Sequence, residues 1–143
     1  MASTGQAVCF KIEARRSKEA FQSFVGKLTP SPVVSDRYAV YNDVSEDHQY
    51  CLAHLIRDCR KYAERKGLDG EIGLDLENEI QEACRVHRRY RRDEISLKSR
   101  NHRLRYSRKR LENSLIDGLA SGSNDLGNFC ENILDHFDKL WVF

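Results

Sequence analysis

Long apolar runs are missing from this chain, and so are two other features that would assign it to a class. No stretch approaches the roughly 20 apolar residues that a membrane helix needs, so we expect no membrane span. The first ten residues, MASTGQAVCF, lack a basic start followed by a long apolar stretch, which predicts no secretory signal. The five cysteines show no spacing typical of a disulfide framework. We therefore expect reduced thiols and a cytosolic protein.

The charges nearly balance, but they are unevenly distributed. The chain has 143 residues, enough for one domain with a hydrophobic core, and a formal net charge of +2. Residues 85–110 hold 12 of the 24 Lys and Arg residues and only two acids, whereas residues 111–143 hold six acids and one Lys. Such a basic block contacts DNA phosphates in some proteins and is a solvated helix face in others, and both interpretations stay open. The candidate DNA-contacting residues are Arg85, Arg88, Arg89, Arg91, Arg92, Arg103, Arg105, Arg108, Lys109 and Arg110.

The first third of the chain has the pattern of short strands around a helix. Residues 7–14 are predicted to form a strand after a hairpin turn at Gly5. Ser17 is a candidate helix cap, and an apolar helical face follows it until two prolines end the element. The two valines at 33–34 predict a short buried strand. This order of elements indicates a crossover unit of an α/β fold.

Apolar residues at helical spacing predict four further helices. The first carries a stripe from residue 52 to residue 63, and Gly67 is its expected C-cap. Two long helices are predicted at about residues 71–92 and 95–119. The leucines of the second recur seven residues apart, which suggests packing against a partner helix. A last helix has a broad apolar face from residue 126 to 141.

Asp36 is the first candidate for chemistry. It directly follows the apolar pair in the stretch VVSDRYAVYN, at the end of a predicted buried strand. An acid in that place is usually a turn residue or a helix cap. In other proteins it is a metal ligand at the rim of a sheet. The residues of this stretch alone do not decide between the two.

A second candidate is the spacing H-x₂-C-x₂-H at His48, Cys51 and His54. Imidazole and thiolate are the ligands that Zn²⁺ prefers, but a structural zinc site normally has four ligands. No fourth ligand lies nearby in the sequence. Buried packing or a hydrogen-bonding histidine is therefore favoured over metal binding, and the zinc interpretation stays open as the lesser alternative.

Three stretches together resemble the transposases of the insertion sequence sixty-six family. They are VVSDRYAVYN, then HQYCLAHLIRDCRKYAE and, after a long helical region, HFDKLWVF. The resemblance covers residues 8–143. It implies an α/β fold with a ribonuclease H-like sheet, and DNA cleavage and transfer by an Asp-Asp-Glu triad with Mg²⁺. Asp36 matches the second acid of that triad, which implies a catalytic residue and metal ligand. Cys51 and His54 match a recurrent C-x₂-H pair beside the sheet.

The resemblance also implies how the chain is divided. Residues 1–66 would form a partial ribonuclease H-like core, truncated at its first strands. Residues 67–123 would be a helical insertion, and residues 124–143 the start of the helix that returns to the core. The implied partner is DNA, and the implied location is the bacterial cytoplasm, in association with the nucleoid when DNA is bound.

The chain departs from the family pattern at both ends. No acid in this sequence matches the first Asp or the final Glu of the triad, so we expect a transposase fragment that is inactive alone. A sheet without its first strand and an exposed LWVF terminus predict self-association. Two other functions remain as alternatives: a non-catalytic nucleic-acid-binding protein that uses basic helices at residues 85–110, and a small zinc-stabilised helical module.

Overall fold

The structure, a computed structural model, describes residues 2–3, 8–9, 12, 14–15, 17–26, 32–42 and 45–143. This part of the chain is mainly helical and contains two short two-stranded sheets. The α/β expectation is met loosely. Helices and a parallel strand pair are both present, but most of the described residues are helical. The strands that the structure describes are too few to define a ribonuclease H-like sheet.

The N-terminal hairpin is confirmed by an antiparallel strand pair. β1 (Ala2–Ser3) pairs with β2 (Val8–Cys9). The predicted turn at Gly5 lies outside the described residues, as does much of the predicted strand at residues 7–14.

The second sheet is a parallel pair. β3 (Val33–Ser35) lies beside β4 (His48–Tyr50), and a 3₁₀ turn at Ala39–Tyr41 is part of the connection between them. The predicted crossover unit, in which the first strand, a helix and the strand at 33–34 share a sheet, is not found in the described part. There β3 pairs with β4, the strand that follows it in the described sequence.

α1 (Lys18–Val25) begins where the sequence predicts. The Oγ of Ser17 accepts a hydrogen bond from the N–H of Ala20 at 3.2 Å, which satisfies one of the free N–H groups at the helix start. The ring of Phe21 packs edge-on against Tyr41 with 4.9 Å between centroids. This contact attaches α1 to the 3₁₀ turn that follows β3.

Four longer helices follow: α2 (Leu52–Ala63), α3 (Leu68–Arg91), α4 (Leu97–Ala120) and α5 (Asn124–Leu134). Gly67 does not end α2, as the sequence pattern predicts, but precedes the first residue of α3 with a φ of 73°, a conformation that favours glycine. Among the described residues, no helix combines the length and apolar character needed to cross a membrane.

The last predicted helix is too long. α5 ends at Leu134, and residues Phe137–Leu140 form a 3₁₀ turn. The chain bends there because its end docks on β4: the N–H of Val142 donates to Oε1 of Gln49 at 2.9 Å, and Leu140 is buried. The expectation of an exposed LWVF stretch is therefore wrong, since most of it packs on the body of the protein.

One hydrophobic core joins β4 and the four long helices. Its fully buried members include Tyr50, Leu55, Leu76, Leu115 and Leu140. Each of the three predicted divisions of the chain contributes side chains to this core. The division at residues 66 and 123 itself stays a prediction.

Two of the three cysteines expected on apolar helix faces are fully buried, Cys59 and Cys130, and Cys84 is half-buried. Burial raises the pKa of the Cys59 thiol to about 12 and that of Cys130 to about 11. Both are therefore protonated thiols near neutral pH and behave as small core side chains.

Candidate functional site

Asp36 lies directly after β3, at the end of the parallel β3–β4 pair. Its Oδ1 accepts a hydrogen bond from the N–H of Tyr38 at 3.1 Å. This is the contact by which an Asp side chain holds a turn that begins at its own position. The half-buried carboxylate is thus both a turn residue and a group oriented at the end of a strand.

Ser35 and His48 hold the backbone next to Asp36. The Oγ of Ser35 donates to the carbonyl oxygen of Asp36 at 2.7 Å and lies 2.8 Å from Nε2 of His48. A hydroxyl has one proton, so the imidazole must donate its Nε2–H to this oxygen. Burial lowers the pKa of His48, and the positive charges of Lys139 and His136 lower it further. His48 is therefore a neutral, buried histidine that supports the strand end.

Arg37, on the other side of Asp36, connects the strand end to two helices. Its Nη2 donates to Oδ2 of Asp58 in α2 at 2.9 Å, and its Nη1 donates to Oδ1 of Asn132 in α5 at 3.0 Å. The guanidinium carbon lies 5.0 Å from the centroid of the Phe129 ring, also in α5. The position of Asp36 relative to α2 and α5 is fixed by these three contacts.

The loop after Asp36 is held from the C-terminal side as well. The hydroxyl of Tyr50 donates to Oδ1 of Asn42 at 2.8 Å, and Nζ of Lys139 donates to the Asn42 carbonyl at 2.9 Å. Asn42 Nδ2 also lies 3.3 Å from Nε2 of His136. These contacts attach Asn42, six positions after Asp36, to β4 and to the C-terminal 3₁₀ turn and its flanking His136.

Within the described ranges, no three His, Cys, Asp or Glu side chains come together as a metal-binding group. This holds for H-x₂-C-x₂-H. Its members are distributed over β4 (His48), the residue that precedes α2 (Cys51) and the first turn of α2 (His54). The N–H of Cys51 donates to the carbonyl of Ser35 at 2.7 Å and so extends the pairing of β3 and β4. The C-x₂-H pair therefore lies beside the sheet.

The basic block forms one end of an antiparallel helix pair. Nε of Arg110 lies 2.6 Å from Oε1 of Glu79, and the guanidinium carbon of Arg100 is 5.4 Å from the ring centroid of Tyr90. The first contact joins the C-terminal half of α4 to the middle of α3, and the second joins the start of α4 to the end of α3. The cations at the end of α3 and those at the start of α4 therefore share one end of the hairpin.

The ten predicted DNA-contacting residues fall into two groups. Six of them form ion pairs with acids: Arg85 with Glu82, Arg89 and Arg92 with Glu94, Arg108 with Asp138, Lys109 with Glu112 and Arg110 with Glu79. The other four are exposed and form no ion pair with any acid in the part of the chain that the structure describes: Arg88, Arg91, Arg103 and Arg105. Among the ten, the cations without an acid partner in the described residues are therefore these four.

A family model described as Transposase IS66 family matches residues 1–143, the whole chain. The chain belongs to the IS66 transposase family. Searches of curated proteins and of solved structures gave no match. Membership of a transposase family suggests DNA as a partner.

In this IS66-family chain, the sequence patterns did not indicate the structural role of Arg37 or the exposed aromatic residues of α4. Arg37 stands inside the stretch that carried the resemblance, yet nothing there indicates its partners in α2 and α5. On α4, Tyr106 is exposed among cations and its ring lies 4.9 Å from that of His102. Aromatic residues between the basic residues of the stretch NHRLRYSRK were the available signal.

Proposed function

We propose that this chain is the part of an IS66-family transposase that carries the second acid of the Asp-Asp-Glu triad together with a DNA-binding helix pair. In this proposal the chain binds DNA and does not cleave it alone. The family match over the whole chain supports it, as do the position of Asp36 at the end of β3 and the cations at one end of the α3–α4 pair. The location that goes with this function is the bacterial cytoplasm, with nucleoid association when DNA is bound.

Asp36 is the proposed catalytic residue, on the proposed ribonuclease H-like core to which β3 and β4 would belong. Its carboxylate suits one Mg²⁺ ligand position, because Mg²⁺ binds one or two protein carboxylates and keeps several waters. A two-metal centre needs more carboxylates, and in the described residues Asp36 belongs to no group of three potential ligands. We therefore derive no cleavage step from this chain and assign it the binding of DNA.

The charge order of α4 is the observation that carries the DNA-binding proposal. Residues 97–111 contain seven Lys and Arg residues and no acid. The start of a helix has a positive partial charge, which stabilises acids and disfavours cations. α3 follows this preference, with Asp69 and Glu71 in its first turn and arginines in its last, whereas the first turn of α4 has no acid. Helix stability explains the cations of α3 but not those of α4, and a phosphate backbone does explain them.

Two sets of four substitutions with the same change in net charge test this proposal. The first replaces the cations without an ion-pair acid, Arg88, Arg91, Arg103 and Arg105, by Gln. The control set replaces four cations that have acid partners, Arg85, Arg89, Arg108 and Arg110, by Gln. Binding to a duplex oligonucleotide is measured by fluorescence anisotropy over a range of salt concentrations, and circular dichroism verifies that each variant is folded.

We expect the wild-type affinity to fall steeply with salt, because phosphate contacts release counterions from DNA. The first set should reduce the slope of log K against log salt by about 0.9 for each lost contact. The control set should retain more of the wild-type slope. Equal losses in both sets would mean that only net charge matters, and no binding at low salt would mean that the basic block is a solvated helix face.

Self-association is a further part of the proposal, now assigned to a strand edge. Val34 in β3 is 65% exposed, and β3 pairs only with β4 within the described segments. An unpaired strand edge is a template for a second chain. Sedimentation velocity should show a concentration-dependent oligomer that Val34→Lys shifts to monomer. A wild-type chain that stays monomeric would remove this part of the proposal.

A further inference from the structure

We infer that the solvent-facing side of α4 binds single-stranded DNA, with an unpaired base stacked on Tyr106 and the neighbouring phosphates at Lys98, Arg105 and Lys109. This inference rests on the proposed DNA-binding function and adds the kind of DNA and the residue that selects it. Neither the basic residues alone nor the family match distinguishes single-stranded from duplex DNA.

The arrangement of α4 brings these residues to one side of the helix. The buried stripe of α4 consists of Ser107, Leu111, Leu115 and Gly118. Helical periodicity of 3.6 residues per turn places residues 98, 102, 105 and 109 on the opposite side, with residue 106 at its border. All five are exposed.

Tyr106 is the one large aromatic side chain within this basic surface. It is 51% exposed. The guanidinium carbon of Arg105 lies 5.6 Å from its ring centroid, and His102 packs against it with an interplanar angle of 72°. An exposed tyrosine with a cation and an imidazole beside it has the composition of a base-stacking platform, where aromatic rings stack with bases and cations follow the backbone.

The distances along α4 suit a short run of unpaired nucleotides. Lys109 lies eleven positions after Lys98, which at a rise of 1.5 Å per residue is about 16 Å along the helix. Two to three extended nucleotides span about that length, so one base can reach Tyr106 while flanking phosphates stay close to the two lysines. In a duplex the bases are stacked on one another, so a tyrosine on an exposed helix surface finds no free base to stack on.

The test compares Tyr106→Ala with Tyr106→Phe in the full chain. A 12-nucleotide oligo(dT) and a duplex of 12 base pairs are titrated under the same salt conditions by fluorescence anisotropy. Ile116→Ala is the matched control, since Ile116 is a 50% exposed apolar residue of the same helix that lies beyond the basic run. Melting curves verify that all three variants are folded, which the exposure of both positions favours.

We expect Tyr106→Ala to weaken oligo(dT) binding about fivefold or more, which corresponds to the loss of one base–aromatic stack. Tyr106→Phe keeps the ring and should bind like the wild type, as should Ile116→Ala. Duplex affinity should change much less in Tyr106→Ala. On irradiation, an oligonucleotide that contains bromodeoxyuridine should form a covalent crosslink to Tyr106.

The results that overturn this inference differ from the result that overturns the proposed function. Equal effects of Tyr106→Ala on both DNAs, or no effect on either, mean that Tyr106 stacks with no base. Duplex binding without oligo(dT) binding leaves the proposed function intact and removes only the single-stranded site. Absence of binding to both DNAs at low salt removes the proposed function itself.

Discussion

Nη2 of Arg37 lies 2.9 Å from Oδ2 of Asp58, and both side chains are largely withdrawn from water, at 18% and 22% exposure. Asp58 also accepts a hydrogen bond from Lys61 at 2.9 Å. Burial alone would raise the pKa of Asp58, but the hydrogen bonds and charges of Lys61 and Arg37 lower it overall. The pair therefore links the strand end that carries Asp36 to α2 through a carboxylate that stays ionised.

A double-mutant cycle on Arg37 and Asp58 should reveal this link. We expect Arg37→Ala and Asp58→Ala to be coupled by about 1–2 kcal/mol in the free energy of unfolding, because each single change leaves a partly buried charge without its partner. Urea denaturation of the two single variants and the double variant measures the coupling.

The exposed pair of Lys109 and Glu112 is the matched control for that cycle. Its side chains are 65% and 40% exposed, one turn apart on α4. Exposed pairs of this kind contribute about 0.3–0.5 kcal/mol. A coupling between Arg37 and Asp58 no larger than this would mean that Asp36 is positioned by the strand pair alone.

The close contact of α2 and α3 depends on Gly73. A Cβ at this position would lie 2.6 Å from the carbonyl carbon of Tyr62, so a methyl group has no room against the backbone of α2. We expect Gly73→Ala to lower the free energy of unfolding by about 1–3 kcal/mol, measured by urea denaturation.

Gly127→Ala is the control, because the same substitution should have the opposite sign there. A Cβ at Gly127 in α5 would meet only a backbone oxygen at 4.0 Å. Alanine is a better helix former than glycine by about 0.8–1.0 kcal/mol, so this variant should gain stability. If both variants lose stability equally, helix packing at Gly73 is not the cause.

The sequence predicts those elements whose formation depends on local pattern. The positions of α2, α3 and α4 follow from apolar residues at helical spacing, and the start of α1 follows from Ser17, whose capping bond spans three residues. The end of α5 could not be predicted in this way. It depends on the docking of Val142 on Gln49, two residues 93 positions apart.

The same distinction applies to the candidate site. Asp36 is a candidate because its surrounding stretch resembles a family motif, but the hydrogen bond of its neighbour Arg37 to Asp58 spans 21 residues and leaves no local trace. The basic block looked uniform in the sequence, although Arg110 has its acid partner 31 residues away, in α3. Arg108 and Arg110 have acid partners far away in the sequence, and helical periodicity does not reveal these pairs.

No DNA cleavage is expected from this chain alone. In the proposed function Asp36 is the one triad carboxylate of this chain, and one carboxylate does not hold the two metal ions that stabilise the attacking and leaving oxygens. Supercoiled plasmid incubated with the protein and Mg²⁺ or Mn²⁺ should stay supercoiled on an agarose gel. Nicking that depends on the metal and disappears in Asp36→Ala would show that acids of this chain complete the triad.

The stability of the fold should decrease below about pH 6.5, because His48 is buried as a neutral imidazole. Burial, together with the charges of Lys139 and His136, lowers its pKa in the folded state. Between that lowered pKa and about 6.5, the unfolded chain binds a proton that the folded chain does not. The free energy of unfolding therefore falls as the pH is lowered, by up to about 1.4 kcal/mol per pH unit for one proton. Stability is regained as the pH rises past 6.5.

Urea denaturation between pH 5 and pH 8 measures this slope. His87 has its pKa lowered too, by burial and then by the charges of Arg100 and Arg91, and it adds to the wild-type slope. His48→Gln should therefore make the slope shallower without removing it. His102→Gln, in the exposed part of α4, is the control and should keep the wild-type slope. If His48→Gln leaves the slope unchanged, the buried contact of His48 with Ser35 is not what makes the fold sensitive to acid.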